Sequence, residues 1–207
     1  MKKELRYMRS GPEVRSSGEE QTVSGLGIVY DSWTELFPGF KEKINQGAAK
    51  REKEVKSFVN HNPDNVLSTT ESNPPLELEE EEGGVRYTSP VPPTSYGENL
   101  KINLERGNVK GSSFAFYIPE GGDRLWEDED GVIHREIDKL YYREIGPVTD
   151  PAYIDTSASV RTAEGIAEEY RKAKENQEKE KERREAFFKF RERQLELKKK
   201  ECERYES

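Results

Sequence analysis

The stretch NVKGSSFAFYIP, residues 108–119, predicts a β-strand that begins with two serines. Large apolar side chains alternate in it with other residues: Phe114, Phe116 and Ile118 against Ser113, Ala115 and Tyr117. This period of two is typical of a half-buried strand. A serine has low β propensity, and its hydroxyl costs free energy if it is buried without a partner. The stretch therefore raises the question of whether Ser112 or Ser113 is a nucleophile.

Other short segments around this strand predict more strands and one helix. We expect strands at 22–33, on both sides of the turn at 62–65, in a hairpin at Gly83-Gly84, and along 132–148. Residues 94–107 predict a short amphipathic helix. Residues 36–55 predict a turn followed by a short polar helix or loop, and 120–131 an acidic turn. The pattern favours the α+β class, with a mainly antiparallel, β-barrel-like core and flanking helices.

The chain divides by composition into three parts. Residues 1–20 are polar and predict a flexible segment, although KELRYM at 3–8 could add an edge strand. Residues 21–161 predict the folded domain, ending in a turn-rich stretch at 149–160. Residues 162–207 predict a charged helical extension, because helix formers dominate and neither glycine nor proline follows Ile166.

The extension has the features of a solvated helix. Acidic and basic residues recur four apart, in the pairs Glu168–Lys172, Glu175–Lys179 and Glu185–Lys189. Its apolar stripe is thin, with Phe188, Leu195 and Cys202 spaced by seven. A single charged helix is the favoured interpretation, and a coiled coil or a partner-binding helix is the alternative.

Composition argues against several classes of partner. The net charge of −8 argues against nucleic acid, because phosphate binding needs a basic face. The single cysteine excludes an internal disulfide framework and fits a reducing compartment. No apolar run approaches the roughly 20 residues of a membrane span, so we expect no membrane partner. We expect a soluble cytoplasmic protein.

Few residues in the sequence could act as a catalytic base or bind a metal. The chain has two histidines, His61 before a turn and His134 at the start of the predicted strand 132–148. His61 and Asp64 are three apart, but the proline between them prevents the stacking that a helix would give, and no second ligand pair follows. There is also no glycine-rich loop for phosphate. We therefore predict no metal site.

A serine hydroxyl becomes a nucleophile when a base accepts its proton and a third group orients that base. His61 and the serine strand could supply the first two members. Glu144 could supply the third, because it shares a strand face with Leu140 and Tyr142 and so points inward. An ion pair between Glu144 and an arginine is the structural alternative.

Four segments in this order resemble one protein family. They are VSGLGIVYDSW at 23–33, FVNHNPDNVL at 58–67, ERGNVKGSSFAFYI at 105–118 and YYREIGPVTDPAYIDTSASVR at 141–161. Together they resemble the prohead (procapsid maturation) serine proteases of tailed bacteriophages, which are related in fold to the herpesvirus assemblins. The resemblance covers residues 20–161.

The resemblance implies roles for three residues. His61 in the asparagine-histidine pair would be the base, and Ser113 in the Gly-x-Ser-Phe motif would be the nucleophile, with Ser112 at the variable position. Glu144, which precedes the Pro-Val-Thr-x-Pro-Ala-Tyr motif, would be the third member. Two positions, Asn65 and Ser68, depart from the family pattern, and neither needs to take part in the chemistry.

His134 is the alternative third member, because assemblins use a second histidine. In one extended strand His134 and Glu144 would be about 33 Å apart, so both could not touch His61. Glu144 matches the family motif and His134 does not, which favours Glu144.

The resemblance implies a serine endopeptidase without a cofactor. Its substrates would be the scaffolding segment and the major capsid protein of a phage, and it would also cleave its own chain. It would act inside the assembling procapsid, in the host cytoplasm. The alternative is a catalytically inactive assembly or scaffolding protein that keeps the fold. A metal-dependent hydrolase would need ligands that the chain does not supply.

Overall fold

The computed structural model of the chain describes residues 3–8, 12–17, 20–149 and 158–205. In chain order its strands are β1 Glu4–Met8, β2 Glu13–Ser17, β3 Glu20–Val29, β4 Thr34–Phe37, β5 Phe40–Ile44, β6 Ala49–Phe58, β7 Val66–Thr69, β8 Glu77–Glu81, β9 Gly84–Pro90, β10 Val109–Tyr117, β11 Asp123–Glu127, β12 Ile133–Ile137 and β13 Leu140–Thr149. The helices are α1 Ser95–Glu105 and α2 Ala158–Tyr205.

The strands form antiparallel and mixed sheets. A five-stranded sheet has the order β1-β10-β13-β6-β7, and two four-stranded sheets have the orders β11-β12-β5-β4 and β2-β3-β9-β8. Most neighbours are antiparallel, whereas β12 with β5 and β13 with β6 are parallel. The predicted α+β class is confirmed.

Strand β10 lies in the middle of the core rather than on its surface. Phe114 and Phe116 are fully buried, and their rings stack with centroids 4.9 Å apart. Ser113 and Ala115 on the other face of the strand are also fully buried. The prediction of a strand is confirmed, but β10 is covered on both faces and is not half-buried.

The predicted short helix is confirmed as α1. Thr94 is its N-cap, and the side-chain oxygen of Thr94 accepts a hydrogen bond from the Gly97 N–H. Gly107 follows the helix with a φ of 69°, a conformation that glycine adopts without strain. The Tyr96 hydroxyl donates to the Val66 carbonyl at 2.8 Å and so ties α1 to β7.

The prediction of a polar helix or loop at 36–55 is wrong. This stretch contains the end of β4, all of β5 and the start of β6. Phe40, Glu42 and Ile44 are buried on β5 and alternate with the partly exposed Lys41 and Lys43. The inward position of a glutamate concealed the alternation, since a charged residue is rarely buried unless it is paired.

The segment 120–148 also differs from the prediction. The expected acidic turn contains β11, and the expected single strand is divided into β12 and β13, which lie in different sheets. Between them the N–H groups of Asp138 and Lys139 both donate to the Gly122 carbonyl, at 2.8 and 2.9 Å. The estimate of 33 Å between His134 and Glu144 therefore does not apply.

The N-terminal residues, which we predicted to be flexible, contain two paired strands. β1 adds to the edge of the five-stranded sheet beside β10, as the alternative for residues 3–8 anticipated, and β2 pairs with β3. Of the turn-rich stretch predicted at 149–160, Thr149 ends β13 and 158–160 belong to α2, and the rest lies outside the described residues. The domain boundaries at 20/21 and 161/162 stay predictions.

A cluster of buried charges holds β1 to the sheet that contains β5 and β12. Arg6 donates to both oxygens of Glu42, at 2.5 and 2.6 Å, and to Glu4 at 2.8 Å. Arg135 donates to Glu4 at 2.8 and 3.0 Å, to Glu42 at 3.0 Å and to Asp123 at 2.7 Å. Burial would raise the pKa of Glu4, but Arg135 and Arg6 hold it below its usual value. Each buried charge is thus paired.

Replacing one of the buried arginines should be strongly destabilising. In Arg135→Met, Glu4 and Glu42 would share only Arg6, and we expect a loss of about 3–5 kcal/mol. The melting temperature should fall by about 10 °C in a chain of this size. The matched control is Arg124→Met, because Arg124 pairs with Glu136 and Asp138 at an exposed site. Thermal unfolding by circular dichroism should show a small change for the control, and equal losses would contradict the importance of burial.

The chain divides into two compact units, residues 1–164 and 165–207. In the second unit, the charged pairs Glu168–Lys172 and Glu175–Lys179 lie at 2.6 and 2.5 Å on an exposed helix surface. Phe187, Phe188 and Phe190 are each about 60% exposed. In the part of the chain that the structure describes, no helix has the length and apolar character needed to cross a membrane.

A chain ending at Glu164 should fold without the second unit. The strands and the apolar core cluster lie before this residue, so we expect cooperative unfolding with a melting temperature close to that of the whole chain. Circular dichroism and calorimetry of the truncated chain test this. A broad transition without cooperativity would show that the helical extension belongs to the core.

Candidate active site

Three predicted site residues come together in the structure. The Nε2 atom of His61 lies 2.6 Å from the Oγ atom of Ser113. The Nδ1 atom of the same ring is hydrogen-bonded to Oε1 of Glu144. The imidazole therefore lies between a hydroxyl and a carboxylate, in the order that a base-activated serine needs.

The register of β10 and β13 places Ser113 and Glu144 on one face of the sheet. Glu144 lies directly opposite Ala115, which is two residues from Ser113 along β10. Residues two apart on a strand share a face, and directly opposed residues in neighbouring strands do so too. The hydroxyl and the carboxylate therefore point to the same side, where the turn after β6 brings His61.

The backbone of that turn is unusual. Asn60 and His61 have φ angles of 55° and 58°, in the left-handed region that residues other than glycine rarely adopt. Asn60 stabilises this conformation, because its N–H donates to the Pro147 carbonyl at 3.1 Å. Its side-chain oxygen accepts hydrogen bonds from the N–H and hydroxyl of Thr149, at 2.8 and 3.1 Å. The turn is thus fastened to the end of β13, the strand that carries Glu144.

Gly146 allows the same turn to come close to β13. A Cβ atom at this position would lie 2.5 Å from the Phe58 carbonyl oxygen, which is too short for a real contact. Gly146 also lies opposite Ser113 in the ladder. The absence of a side chain at Gly146 therefore helps to set the distance between His61 and Ser113.

Ser112 faces away from this site. Its Oγ atom lies 3.1 Å from the hydroxyl of Tyr87 on β9, and both residues are fully buried. Each of the two serines therefore has a hydrogen-bond partner, and only Ser113 faces His61. We interpret Ser112 as a structural partner of Tyr87.

Glu144 is held in its ionised form. Burial would raise the pKa of this carboxyl, but hydrogen bonding and charge from His61 and Lys3 lower it below its ordinary value near 4.5. Lys3 contributes an ion pair, with its Nζ atom 3.1 Å from Oε2 of Glu144. A carboxylate in this state can orient a histidine and balance its positive charge.

Acidification should destabilise the chain partly through Glu144. A carboxyl whose folded pKa is lowered stabilises the fold fully above its unfolded pKa, and the effect is lost as the pH falls through the folded value. We therefore expect a smaller fall in melting temperature between pH 6 and pH 3 for Glu144→Gln than for the wild type. Equal falls would show that the lowered pKa makes no contribution to stability.

His134 lies on β12 and has other partners. Its Nε2 atom is 2.8 Å from Oδ2 of Asp128, and its ring stacks on Trp126 with centroids 5.3 Å apart. Trp33 contacts the same ring edge-on. The contact to Nδ1 of His61 is made by Glu144, which favours Glu144 over His134 as the third member.

Strand β1 makes a contribution to the site that the sequence did not predict. The Ser113 hydroxyl also donates to the Arg6 carbonyl at 2.8 Å, and the Tyr7 ring meets the His61 ring edge-on. The alternation of polar and apolar residues in KELRYM was the available signal. It indicates an edge strand, but it does not indicate which strand will pair with it.

Within the described ranges, no group of three or more histidine, cysteine, aspartate and glutamate side chains is arranged to hold a metal ion. The site can instead offer a hydroxyl, an imidazole and a carboxylate. Together these groups can transfer a proton from a serine that attacks a carbonyl carbon.

The chain is similar to proteins that act in phage capsid assembly. No curated protein matches its sequence. Among solved structures, the capsid assembly protease of bacteriophage T4 is similar at 12% identity, with 73% of this chain and 100% of that chain covered and a TM-score of 0.48. The family model of the caudovirus prohead serine proteases matches residues 10–172. Because this match spans well over half of the chain, the chain belongs to the caudovirus prohead serine protease family.

Proposed function

We propose that the chain is a serine endopeptidase in which Ser113 is the nucleophile, His61 the general base and Glu144 the orienting acid. The observation that supports this most strongly is the position of the His61 ring, with one nitrogen at Ser113 and the other at Glu144. Hydrogen bonds between Asn60 and the end of β13 hold the turn that carries this ring.

Each step of peptide hydrolysis has a residue to perform it. The Ser113 oxygen attacks the carbonyl carbon of the peptide, and Nε2 of His61 takes the hydroxyl proton. Glu144 accepts the hydrogen bond from Nδ1 and balances the positive charge of the ring. His61 then gives its proton to the leaving amine. A water molecule, activated by the same histidine, releases the acyl group from Ser113.

We propose that the substrates are the scaffolding segment and the major capsid protein of the phage, and that the chain also cleaves itself. Membership of a prohead protease family supports this choice. The place of action would be the interior of the assembling procapsid, in the host cytoplasm.

Co-expression with a major capsid protein and its scaffolding segment from the same phage would test the proposal. We expect shortened capsid and scaffold products, with new termini identified by mass spectrometry, and none from a chain carrying His61→Ala. Intact substrates with the wild-type chain, in particles that assemble normally, would instead support the alternative of an inactive assembly protein that keeps the fold.

A further inference from the structure

Strand β1 and the preceding Lys3 together contact every member of the proposed triad. Its backbone accepts a hydrogen bond from Ser113, through the Arg6 carbonyl at 2.8 Å. Lys3, just before the strand, forms an ion pair with Glu144. The ring of Tyr7 meets the ring of His61 edge-on, with centroids 6.0 Å apart. One short segment therefore occupies the space around the hydroxyl, the carboxylate and the imidazole.

The position of β1 leaves no room for a substrate at Ser113. Tyr7 is directly opposite Ser113 in the antiparallel ladder, and Ser113 is fully buried. A carbonyl carbon must come within about 3–3.5 Å of the attacking oxygen. Because β1 occupies the edge of β10 beside Ser113, a substrate and β1 cannot bind there together.

The hydrogen bond to Arg6 also competes with catalysis. A serine hydroxyl has one proton, which it can donate to one acceptor at a time. When the hydroxyl donates to the Arg6 carbonyl, the same proton is not available to Nε2 of His61. Removing β1 would leave His61 as the acceptor of this proton.

Side chains on the other face of β1 anchor it. Arg6 is bound through two hydrogen bonds by Glu42, and Glu4 is bound through two by Arg135. If β1 left, Glu42 and Arg135 would lose these partners, and β10 would expose an unpaired edge. Such an edge accepts an extended peptide as an added strand.

We propose that β1 is an internal inhibitory strand, and that the edge of β10 which it occupies binds an extended peptide once β1 leaves. The carboxylate of Glu42 would form an ion pair with an arginine of that peptide, as it does with Arg6 in the present structure. This role of β1 depends on the proposed function of Ser113 as the nucleophile.

Cutting the chain between β1 and β2 would test this role. The recognition sequence of an unrelated, site-specific protease is inserted after Ser10 in the full chain, and the uncut protein is the matched control. A short linker holds a segment at an effective concentration of about millimolar. In micromolar solution the separated strand is roughly a thousandfold more dilute, and it should dissociate. Modification of Ser113 by a fluorophosphonate, followed by intact mass, should become roughly tenfold faster or more after the cut.

A peptide of residues 1–10, added to the cut protein at about millimolar concentration, should slow the modification again. The same peptide with Arg6→Glu should not, because a glutamate would face Glu42 and Glu4. A fluorescein-labelled form of each peptide measures binding to the cut chain by anisotropy, whether or not Ser113 reacts. Binding of the first peptide and not of the second is the expected result.

The outcomes distinguish a failure of the inhibitory role of β1 from a failure of the proposed protease activity. Equal rates of Ser113 modification before and after the cut would overturn the inhibitory role of β1 and keep the nucleophile. Peptide binding without any modification of Ser113 would support the occupied edge of β10 and contradict the proposed chemistry. A second variant tests the uncut chain. Arg6→Glu should speed the modification of Ser113, whereas the matched control Arg124→Glu should not. Equal modification rates in these two folded variants would overturn the proposal.

Discussion

Ser113→Ala is expected to reduce cleavage of a capsid-protein substrate by about 10⁶-fold, as the loss of a serine nucleophile does in other proteases. The substitution removes the proposed nucleophilic oxygen, so His61 and Glu144 would have no hydroxyl to activate. The fold should persist, because the loss of one hydroxyl costs about 1 kcal/mol. Cleavage rates from mass spectrometry, with circular dichroism on the same preparation, measure both effects.

Ser112→Ala is the matched control for that substitution. It removes a hydroxyl one residue away, on the opposite face of β10. We expect it to remove this hydrogen-bond partner of the buried Tyr87 hydroxyl, at a cost of about 1–3 kcal/mol in stability, and to retain cleavage in the folded molecules. An inactive Ser112→Ala beside an active Ser113→Ala would reverse the assignment of the nucleophile.

Glu144→Gln is expected to lower the cleavage rate by about 10⁴-fold, the effect of the analogous acid-to-amide change in a Ser-His-Asp triad. The amide keeps the shape of the side chain. However, it can donate a hydrogen to Nδ1 of His61, which stabilises the wrong tautomer, and it cannot balance the charge of the protonated ring. A fall in the cleavage rate per folded molecule would distinguish the orienting role of Glu144 from a purely structural role.

His134→Ala accompanies this test as the control for the alternative third member. The stacking of His134 on Trp126 and its contact with Asp128 should make the variant less stable, while its cleavage rate per folded molecule should stay near that of the wild type. A near-normal rate for Glu144→Gln with an inactive His134→Ala would transfer the third role to the histidine.

Local patterns predicted the parts of the fold that neighbouring residues specify. The strand β10, the hairpin at Gly83-Gly84 and the helix α1 follow from alternation, turn residues and helical spacing. The strand β5 was missed because Glu42 occupies an inward position, where it pairs with Arg6 and Arg135. The sequence does not show that arginines from distant segments will pair with this glutamate. Such a glutamate is therefore predicted to be exposed.

The sequence predicted the residues of the candidate site, but it did not predict the strand that covers them. The motifs around His61, Ser113 and Glu144 named the groups that the fold brings together. The strand that covers Ser113 comes from more than 100 residues earlier in the chain, at Arg6 and Tyr7. Pairing of strands this far apart leaves no local signal. The left-handed conformation of His61 is likewise stabilised by contacts from the distant end of β13 to Asn60.

The most direct test of the proposed triad is the site of covalent modification by a fluorophosphonate, determined by peptide mapping after prolonged exposure. The reagent reacts preferentially with a serine that a nearby base activates. If Ser113 is the nucleophile, a single adduct should form on Ser113, in the whole chain or after removal of β1, and it should be lost in His61→Ala. An adduct on Ser112, or equal labelling of Ser113 in His61→Ala and the wild type, would contradict this role of Ser113.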